Sequence, residues 1–358
     1  MRLSRKTDPI SHRGRAGRAK PRVSARIHCG SAAAFFLWAV GFAFVLACSR
    51  NAPHSNPLDP LNPHHHSAHA LTGVVTGIYA PYVPLVNAQV RLPALRQAVD
   101  TDEQGHFRFE SIQPGSYLVV AEKGGYRPDS QVVAVPKDAD PSPVLFRLDA
   151  LPRIEHARLT TTHISRWWPA NDLYMLTATA TVYDPDGPAD LEATWLECGS
   201  WGKIDTLVYQ PGRRMFEAEI LESELPTRSL VALEGHTFWI SGSDRLGARA
   251  QSDPLFISRI IDFTPVIESP KGYAETSVQP WLRWEKADLP FPHTWSVEIV
   301  RIEGGLSLPT WSVSNLHQDS TRVRPPIPLT SGAYYWVLWI VDEWGNRSRS
   351  KEGAFKVP

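Results

Sequence analysis

Short runs in which apolar and polar residues alternate recur from residue 70 to the end of this chain. Residues 174–183 alternate throughout, and residues 86–92 repeat the pattern. An alternation of period two is typical of a half-buried β-strand, because successive side chains point to opposite faces. The 358 residues include 31 Pro and 23 Gly, which supply turns between such strands. The sequence therefore predicts an all-β protein of many short strands. At about 100–150 residues per domain, the part after residue 69 makes two or three domains.

A basic and then apolar segment precedes these strands. Residues 1–28 carry nine Lys or Arg against one Asp, and residues 31–47 are apolar or small. A basic region, an apolar core and small residues before a cleavage point are typical of an export signal. The apolar run is slightly short of the about 20 residues that a spanning helix needs. An uncleaved anchor and a basic nucleic-acid-binding arm are the alternatives to a signal.

The end of the apolar run points to lipidation. The tetrapeptide Val45-Leu46-Ala47-Cys48 resembles the lipobox of a bacterial lipoprotein signal. The resemblance implies that residues 1–47 are a signal peptide, that cleavage precedes Cys48, and that Cys48 carries lipid. The mature protein would then be an extracytoplasmic protein of the bacterial cell envelope, held to the membrane by its lipid anchor. Ser49 stands where an Asp often signals inner-membrane retention, which favours the outer membrane in a Gram-negative cell.

The segment after Cys48 is rich in Pro and His. Four Pro lie between residues 53 and 63, followed by His64, His65, His66 and His69. This composition predicts that residues 48–69 are the lipidated Cys and a disordered tether that holds the first domain away from the membrane. Imidazole is a good ligand for transition metals. A solvated spacer is nevertheless the favoured interpretation, because no carboxylate or Cys completes a metal site.

Charge and cysteine content exclude several classes of protein. The chain has 37 basic and 37 acidic residues, and the basic excess lies in the signal. The mature part is mildly acidic, which argues against nucleic acid as a partner. Of the three Cys, Cys29 and Cys48 belong to the export segment. Cys198 is left alone, and we expect it to be a buried strand residue rather than part of a disulfide.

Residues 70–149 carry an ordered set of short motifs. They are Thr72-Gly-Val-Val-Thr-Gly77, Asn87-Ala-Gln-Val90, Thr101-Asp-Glu-Gln-Gly-His-Phe-Arg-Phe109, Ile112-Gln-Pro-Gly-Ser-Tyr117 and Gly125-Tyr126. This order resembles the carboxypeptidase regulatory-like domain, a small transthyretin-like sandwich. The resemblance implies an accessory domain without catalytic residues. It does not make the chain a peptidase, and the sequence contains no H-x-x-E zinc pair.

Residues 151–262 form the second predicted domain. Their strands and turns look like those of an immunoglobulin-like β-sandwich of bacterial surface proteins. The turn after the strand at 174–183 contains Asp184, Asp186 and Asp190, which together could ligate calcium, a hard cation with six to eight oxygen ligands. The alternative is an ordinary turn in which Asp side chains accept from backbone amides and Gly187 is left-handed. With no further acid in view, the sequence favours the turn, and no metal or other cofactor is predicted.

Residues 263–358 resemble a fibronectin type III domain. The resemblance implies that Trp284 is a core residue and that Tyr334 is a corner tyrosine whose hydroxyl bonds back to the backbone. In the run 333–341 the residues Tyr334, Trp336, Leu338 and Ile340 would face inward. The opposite face is also apolar, which suggests contact with a neighbouring domain or a partner. The candidate interaction surface consists of Tyr335, Val337, Trp339 and Trp344.

No catalytic motif is present in the sequence: there is no G-x-S-x-G, no H-E-x-x-H and no Gly-rich phosphate loop. We therefore expect a non-enzymatic, lipid-anchored envelope protein that serves as a modular stalk or adaptor for protein–protein interaction. The alternative is a carbohydrate-binding surface protein whose exposed aromatic rings stack on sugars. The candidate residues lie in expected loops and are Trp167, Trp168, Trp201, Trp311 and Trp344. An enzyme with a site assembled across domains is the third class.

Overall fold

The computed structural model describes residues 68–358, which contain 24 β-strands and three single-turn 3₁₀ helices. The all-β prediction is confirmed. Buried apolar side chains form three clusters, within residues 71–148, 159–257 and 261–357. No helix between residues 68 and 358 is long and apolar enough to cross a membrane. The predicted signal, Cys48 and most of the predicted tether lie outside the described residues.

The first sandwich encloses the first cluster between two sheets. One sheet has the order β4-β1-β7 and the other β3-β2-β5-β6. Its strands are β1 (His69–Gly77), β2 (Gln89–Leu92), β3 (Gln97–Asp100), β4 (His106–Ile112), β5 (Gly115–Glu122), β6 (Asp129–Val135) and β7 (Val144–Leu148). A 3₁₀ helix spans Pro93–Leu95. His69, the last residue of the predicted tether, begins β1, and its ring bonds to Asp140 and to the Lys137 carbonyl.

The turn between β3 and β4 carries the chain from one sheet of the first sandwich to the other. One carboxylate oxygen of Asp102 accepts from the amides of Gln104 and His106. Gly105 adopts a φ of 76°, and a Cβ there would lie 2.5 Å from the Val75 carbonyl oxygen. The turn therefore requires glycine on both conformational and steric grounds. It is followed by β4, in which Phe107 and Phe109 point to the same buried face.

The second sandwich packs the sheet β11-β10-β14-β15 against a sheet that contains β12-β13-β9-β8. Its strands are β8 (Arg153–Ile164), β9 (Leu173–Tyr183), β10 (Leu191–Cys198), β11 (Gly202–Thr206), β12 (Val208–Gln210), β13 (Met215–Leu221), β14 (Phe238–Asp244) and β15 (Arg249–Gln251). Single 3₁₀ turns span Glu222–Glu224 and Val231–Leu233. Cys198 ends β10 as a buried free thiol, as predicted.

The third sandwich packs the sheet β16-β18-β21 against one that contains β24-β22-β19-β20. Its strands are β16 (Ile267–Ser269), β17 (Ala274–Glu275), β18 (Leu282–Trp284), β19 (His293–Glu303), β20 (Leu306–His317), β21 (Arg322–Val323), β22 (Gly332–Asp342), β23 (Arg347–Arg349) and β24 (Gly353–Val357). Trp284 lies in the core with 1% of its surface exposed. The Tyr334 hydroxyl donates to the Thr330 carbonyl at 2.9 Å, which is the predicted corner.

The second and third sandwiches share one sheet. Residues Arg347–Arg349 of β23 pair in parallel with residues 162–164 of β8, so that ten strands form one continuous sheet. No local sequence pattern indicates this pairing, because the two strands lie 185 residues apart and the pairing of strand edges depends on the tertiary fold. The boundaries 70–149, 151–262 and 263–358 remain predictions, and the shared sheet crosses the last of them.

Candidate functional site

Five aspartates meet where the first sandwich adjoins the second. We call this group the five-aspartate cluster; it consists of Asp149, Asp184, Asp186, Asp190 and Asp244. Asp149 follows β7, the middle three occupy the loop between β9 and β10, and Asp244 ends β14. Carboxylate oxygens of Asp149, Asp190 and Asp244 lie within 4.8 Å of one another. The same holds for Asp184, Asp186 and Asp190, so Asp190 belongs to both groups.

Local turn chemistry positions the aspartates of the second sandwich. Asp184 accepts the Asp186 amide on one carboxylate oxygen at 2.8 Å, and Gly187 follows with a φ of 125°. Asp244 accepts the amides of Leu246 and Ala248 on one oxygen. The turn that the sequence favoured over calcium is therefore present. The turn hydrogen bonds occupy one carboxylate oxygen of Asp184 and one of Asp244, and the second oxygen of each has no hydrogen-bond partner.

Three hydrogen bonds join the first sandwich and the linker to this site. The Tyr79 hydroxyl donates to Asp190 at 2.7 Å, and the Ala150 amide donates to Asp186 at 2.7 Å. Arg127 donates from its guanidinium to the Leu246 carbonyl at 3.0 Å. The cluster thus lies in the contact between the two sandwiches rather than within either one.

The surroundings disfavour negative charge. Burial raises the pKa of Asp149 to about 6, and the carboxylates of Asp244 and Asp186 add to the effect. Burial likewise raises the pKa of Asp184 to about 6, against the opposing hydrogen bond from the Asp186 amide. Among residues 68–358, no Lys or Arg forms an ion pair with any aspartate of the cluster. Within the described residues, the site is therefore a cluster of acidic side chains whose negative charge no Lys or Arg neutralises.

The structure brings together the three aspartates singled out in the sequence, and it adds two more. The expectation that no further acid would approach is wrong, because Asp149 and Asp244 arrive from other strands. Asp244 had a local signal, since it opens the turn Asp244-Arg-Leu-Gly247. Asp149 had no such local signal, because nothing in the sequence around it indicates that it will lie beside the loop between β9 and β10.

The candidate interaction surface is smaller than the sequence suggested. Val337 and Trp339 are buried at 2% and 8% exposure, Tyr335 is half-buried, and Trp344 is 43% exposed. For Trp339 the physical reason is β23, which lies beside β22 and places the Arg347 guanidinium 4.6 Å from the centre of the Trp339 ring. Val337 and Trp339, two of the four residues expected to face a neighbouring domain or a partner, are covered by this chain itself.

The candidate sugar-stacking tryptophans differ in how free they are. Trp311 lies in β20 and packs against the third cluster, so the expectation that it is in a loop is wrong. Trp201 packs on His236, and Trp344 has Arg259 4.4 Å from its ring centre. The Lys351 ammonium lies 4.5 Å from the centre of the Trp167 ring, and Trp167 is 64% exposed. Trp168 is 86% exposed, more than any of the other four.

A serine, a histidine and an aspartate are aligned at the shared sheet. His163 Nδ1 lies 2.9 Å from Ser348 Oγ, and His163 Nε2 lies 3.0 Å from Asp172 Oδ2. Such a series is the arrangement of a hydrolytic triad. Ser348 is, however, 0% exposed and His163 2%, so a substrate has no access to the hydroxyl. The series ties β8 to β23 and acts as a structural network.

Comparison with known proteins supports the first domain directly. Residues 70–149 match the model of the carboxypeptidase regulatory-like domain. This agrees with the resemblance drawn from the motifs of the same residues. No curated protein matches the sequence.

Solved structures give a distant likeness only. The FN1–FN3 domains of chicken CNTN1 share 9% identity and a TM-score of 0.32, with 82% of this chain and 96% of that chain covered. The fibronectin(III)-like modules of Clostridium thermocellum CbhA share 12% identity and a TM-score of 0.28, over 57% and 92% of the two chains. A candidate carbohydrate-binding protein of Bacteroides uniformis shares 13% identity and a TM-score of 0.23, over 53% and 98%.

These identities and TM-scores are too low to relate the chain to any of the three proteins. The chain is a protein of several β-sandwich modules, and its residues 70–149 are similar to a carboxypeptidase regulatory-like domain.

Proposed function

We propose that this chain is a non-enzymatic, lipid-anchored protein of the bacterial cell envelope whose sandwiches form a scaffold for another envelope protein. The observation that carries the proposal is the joint between the second and third sandwiches, where β8 and β23 pair into one sheet. Domains joined by backbone hydrogen bonds cannot rotate freely about a linker. A rigid pair of domains can hold a bound partner protein at a fixed position. The expected lipid on Cys48 attaches the chain to the membrane.

Side chains strengthen that joint. Asn346 is fully buried: its carbonyl oxygen accepts the Thr161 amide at 2.9 Å, and its amide donates to Ser258 at 2.9 Å. Arg259 forms an ion pair with the buried Asp342 at 2.8 Å. These bonds connect residues that are far apart in the chain, which supports a fixed arrangement of the two sandwiches.

The anchor is tested first, by the intact mass of protein purified from membranes beside the Cys48→Ala variant. We expect a mature chain that begins at an acylated Cys48, and we expect the variant to leave the membrane fraction. A chain that retains residues 1–47 without lipid, in wild type and variant alike, would contradict the anchor.

The scaffold role is tested by cross-linking in intact cells, followed by purification of the protein in detergent. We expect one envelope protein to be cross-linked in stoichiometric yield. The Cys48→Ala protein, no longer held at the membrane, should lose that partner. A wild-type protein that is monomeric and cross-links to nothing would count against the proposal.

Carbohydrate binding is the second candidate, and the exposure of Trp168 favours it. A cleft of about 320 Å³ lies beside the neighbouring Trp167 and includes Lys271, Lys351 and Glu352 among its lining residues. Exposed aromatic rings and adjacent charged groups are the elements of a sugar site. We expect a glycan array to give hits that Trp168→Ala abolishes and Trp344→Ala, as the matched control, retains. An array without hits for wild type removes this candidate.

A further inference from the structure

We propose that the five-aspartate cluster is a calcium site that fixes the first sandwich to the second. This inference goes beyond the scaffold role and does not depend on the lipid anchor or on any partner. It rests on the positions and the hydrogen bonding of the five carboxylates.

The first step is the unmet bonding capacity of the cluster. Five of its buried carboxylate oxygens have no hydrogen-bond partner: both oxygens of Asp149 and one each of Asp184, Asp190 and Asp244. Asp149 is only 5% exposed, and its side chain is directed at Asp190 and Asp244. Buried carboxylates without partners are strongly unfavourable and are rare unless they are paired or ligate a metal. The observation therefore points to a bound cation.

A turn of the same type in the third sandwich provides an internal comparison. Asp342 opens the turn Asp342-Glu-Trp-Gly345 and accepts the amides of Trp344 and Asn346 on one oxygen, as Asp244 accepts two amides in its own turn. The second oxygen of Asp342 accepts hydrogen bonds from the Arg259 guanidinium and from the side-chain amide of Asn346. The second oxygen of Asp244 has no hydrogen-bond partner, and the Asp244 carboxylate belongs to the group with Asp149 and Asp190. In the third sandwich a cation and a side-chain amide bind the second oxygen of the turn aspartate, whereas Asp244 has neither.

The donor set selects the metal. All donors are carboxylate oxygens, which hard cations prefer and which transition metals with a preference for nitrogen or sulfur do not. Ca²⁺ takes six to eight oxygens at about 2.3–2.6 Å, so its ligand atoms lie within about 5 Å of one another. The oxygen separations of up to 4.8 Å in both groups of three agree with that shell. Mg²⁺ requires a tighter octahedron, and the irregular set of carboxylates suits it less.

The position of the ligands determines what binding would do. Asp149 ends the first sandwich, whereas Asp244 and the three loop aspartates belong to the second. Without a cation, their mutual repulsion opposes the contact that Tyr79 and Ala150 make across the seam. A bound Ca²⁺ converts that repulsion into attraction, so the ion acts as a clamp between the two sandwiches.

The direct test is titration of the full chain in detergent, after EGTA treatment and removal of the chelator, with CaCl₂ in a calorimeter. We expect saturable heat and a rise in melting temperature of about 5 °C or more when Ca²⁺ exceeds its dissociation constant about a hundredfold. A smaller shift is expected with MgCl₂. Absence of both heat and shift at about 10 mM CaCl₂, roughly tenfold above the dissociation constants of the weakest protein calcium sites, would overturn the proposal.

Variants locate the site. Asp149→Asn removes charge without volume, and Asp190→Asn removes the carboxylate that both groups share. We expect each to weaken calcium binding about tenfold or more, and Asp149→Asn to leave the calcium-free protein as stable as wild type or more stable. Asp288→Asn, at an exposed aspartate outside the cluster, is the matched control and should bind as wild type. Equal binding by all four proteins would show that calcium does not bind here.

The clamp itself is read by hydrogen exchange at the seam. The amide of Ala150 donates to Asp186, and that of Leu151 donates to the Gly125 carbonyl. We expect Ca²⁺ to slow exchange at both amides in wild type and not in Asp149→Asn. Exchange that is unaffected by saturating Ca²⁺ in wild type would refute the clamp.

Discussion

Close contacts at single positions show how narrowly some residues are specified. Gly73 lies in β1 opposite Val144 of β7, and a Cβ there would stand 2.3 Å from the Val144 carbonyl oxygen and 2.4 Å from the Phe107 ring. Neither a backbone carbonyl nor a ring packed in the core can move away without disturbing the cluster around it. Glycine in the middle of a strand often marks such an approach of another group.

We expect Gly73→Ala to destabilise the first sandwich by about 2–3 kcal/mol, because the added methyl overpacks the core. Gly124→Ala is the matched control, since nothing lies within 4 Å of its Cβ position. Denaturant unfolding of the full chain, followed by a probe within the first sandwich, measures both. Equal stability of the two variants would contradict the steric argument.

The corner tyrosine offers a second test at this scale. Tyr334→Phe removes the hydrogen bond to the Thr330 carbonyl but keeps the ring in the core, and we expect a loss of about 1 kcal/mol. Tyr335→Phe is the control, because this neighbour lies on the other face of β22 and is half-buried. Thermal unfolding distinguishes them, and a larger effect for Tyr335→Phe would show that the corner bond contributes little.

At the level of elements, the short strand β23 has a consequence out of proportion to its three residues. It pairs with β22 on one side and with β8 on the other, and so joins two sheets into one. Asn346, just before it, supplies the side-chain bonds to Thr161 and Ser258. The series of Ser348, His163 and Asp172 adds a further connection within the same joint.

We expect Asn346→Ala to cost about 2–3 kcal/mol, because the buried Thr161 amide is left without its partner. Hydrogen exchange should then speed up in β23 and in residues 162–164 of β8 before the rest of either sandwich. Asn171→Ala, at an exposed asparagine, serves as the control. Exchange in the joint that stays as slow as in wild type would contradict a coupling role for Asn346.

On the scale of the whole molecule, the segment between the second and third sandwiches is held along its length. Arg259 pairs with Asp342 and lies over the rings of Phe291 and Trp344, at 3.9 and 4.4 Å from their centres. In the same segment Asp262 accepts the hydroxyl of Tyr174. A linker with these contacts is not a flexible connection, and it holds the second and third sandwiches together.

Limited trypsin digestion tests this. We expect Arg259 to resist cleavage in the folded chain although it lies between domains, because a protease needs its substrate backbone to be free. Mass spectrometry of the fragments gives the result, and Arg259→Lys retains a cleavable site with weaker contacts and should be cut faster. Early cleavage of wild type at Arg259 would show that the sandwiches are only loosely joined.

The sequence by itself determined what depends on neighbours along the chain. Alternating runs predicted the strands, the ordered motifs of residues 70–149 indicated the first sandwich, and the run at 333–341 placed Tyr334 and Trp336 inside. These features follow from backbone geometry and from a period of two, which a short segment carries in itself. The tertiary structure alone decided the rest: Asp149 and Asp244 join the loop aspartates, β23 pairs with β8, and Arg347 covers Trp339. Each of these contacts joins residues far apart in the chain. Which group lies next to a charge or pairs with a strand edge depends on the tertiary fold, so a local sequence pattern does not predict it.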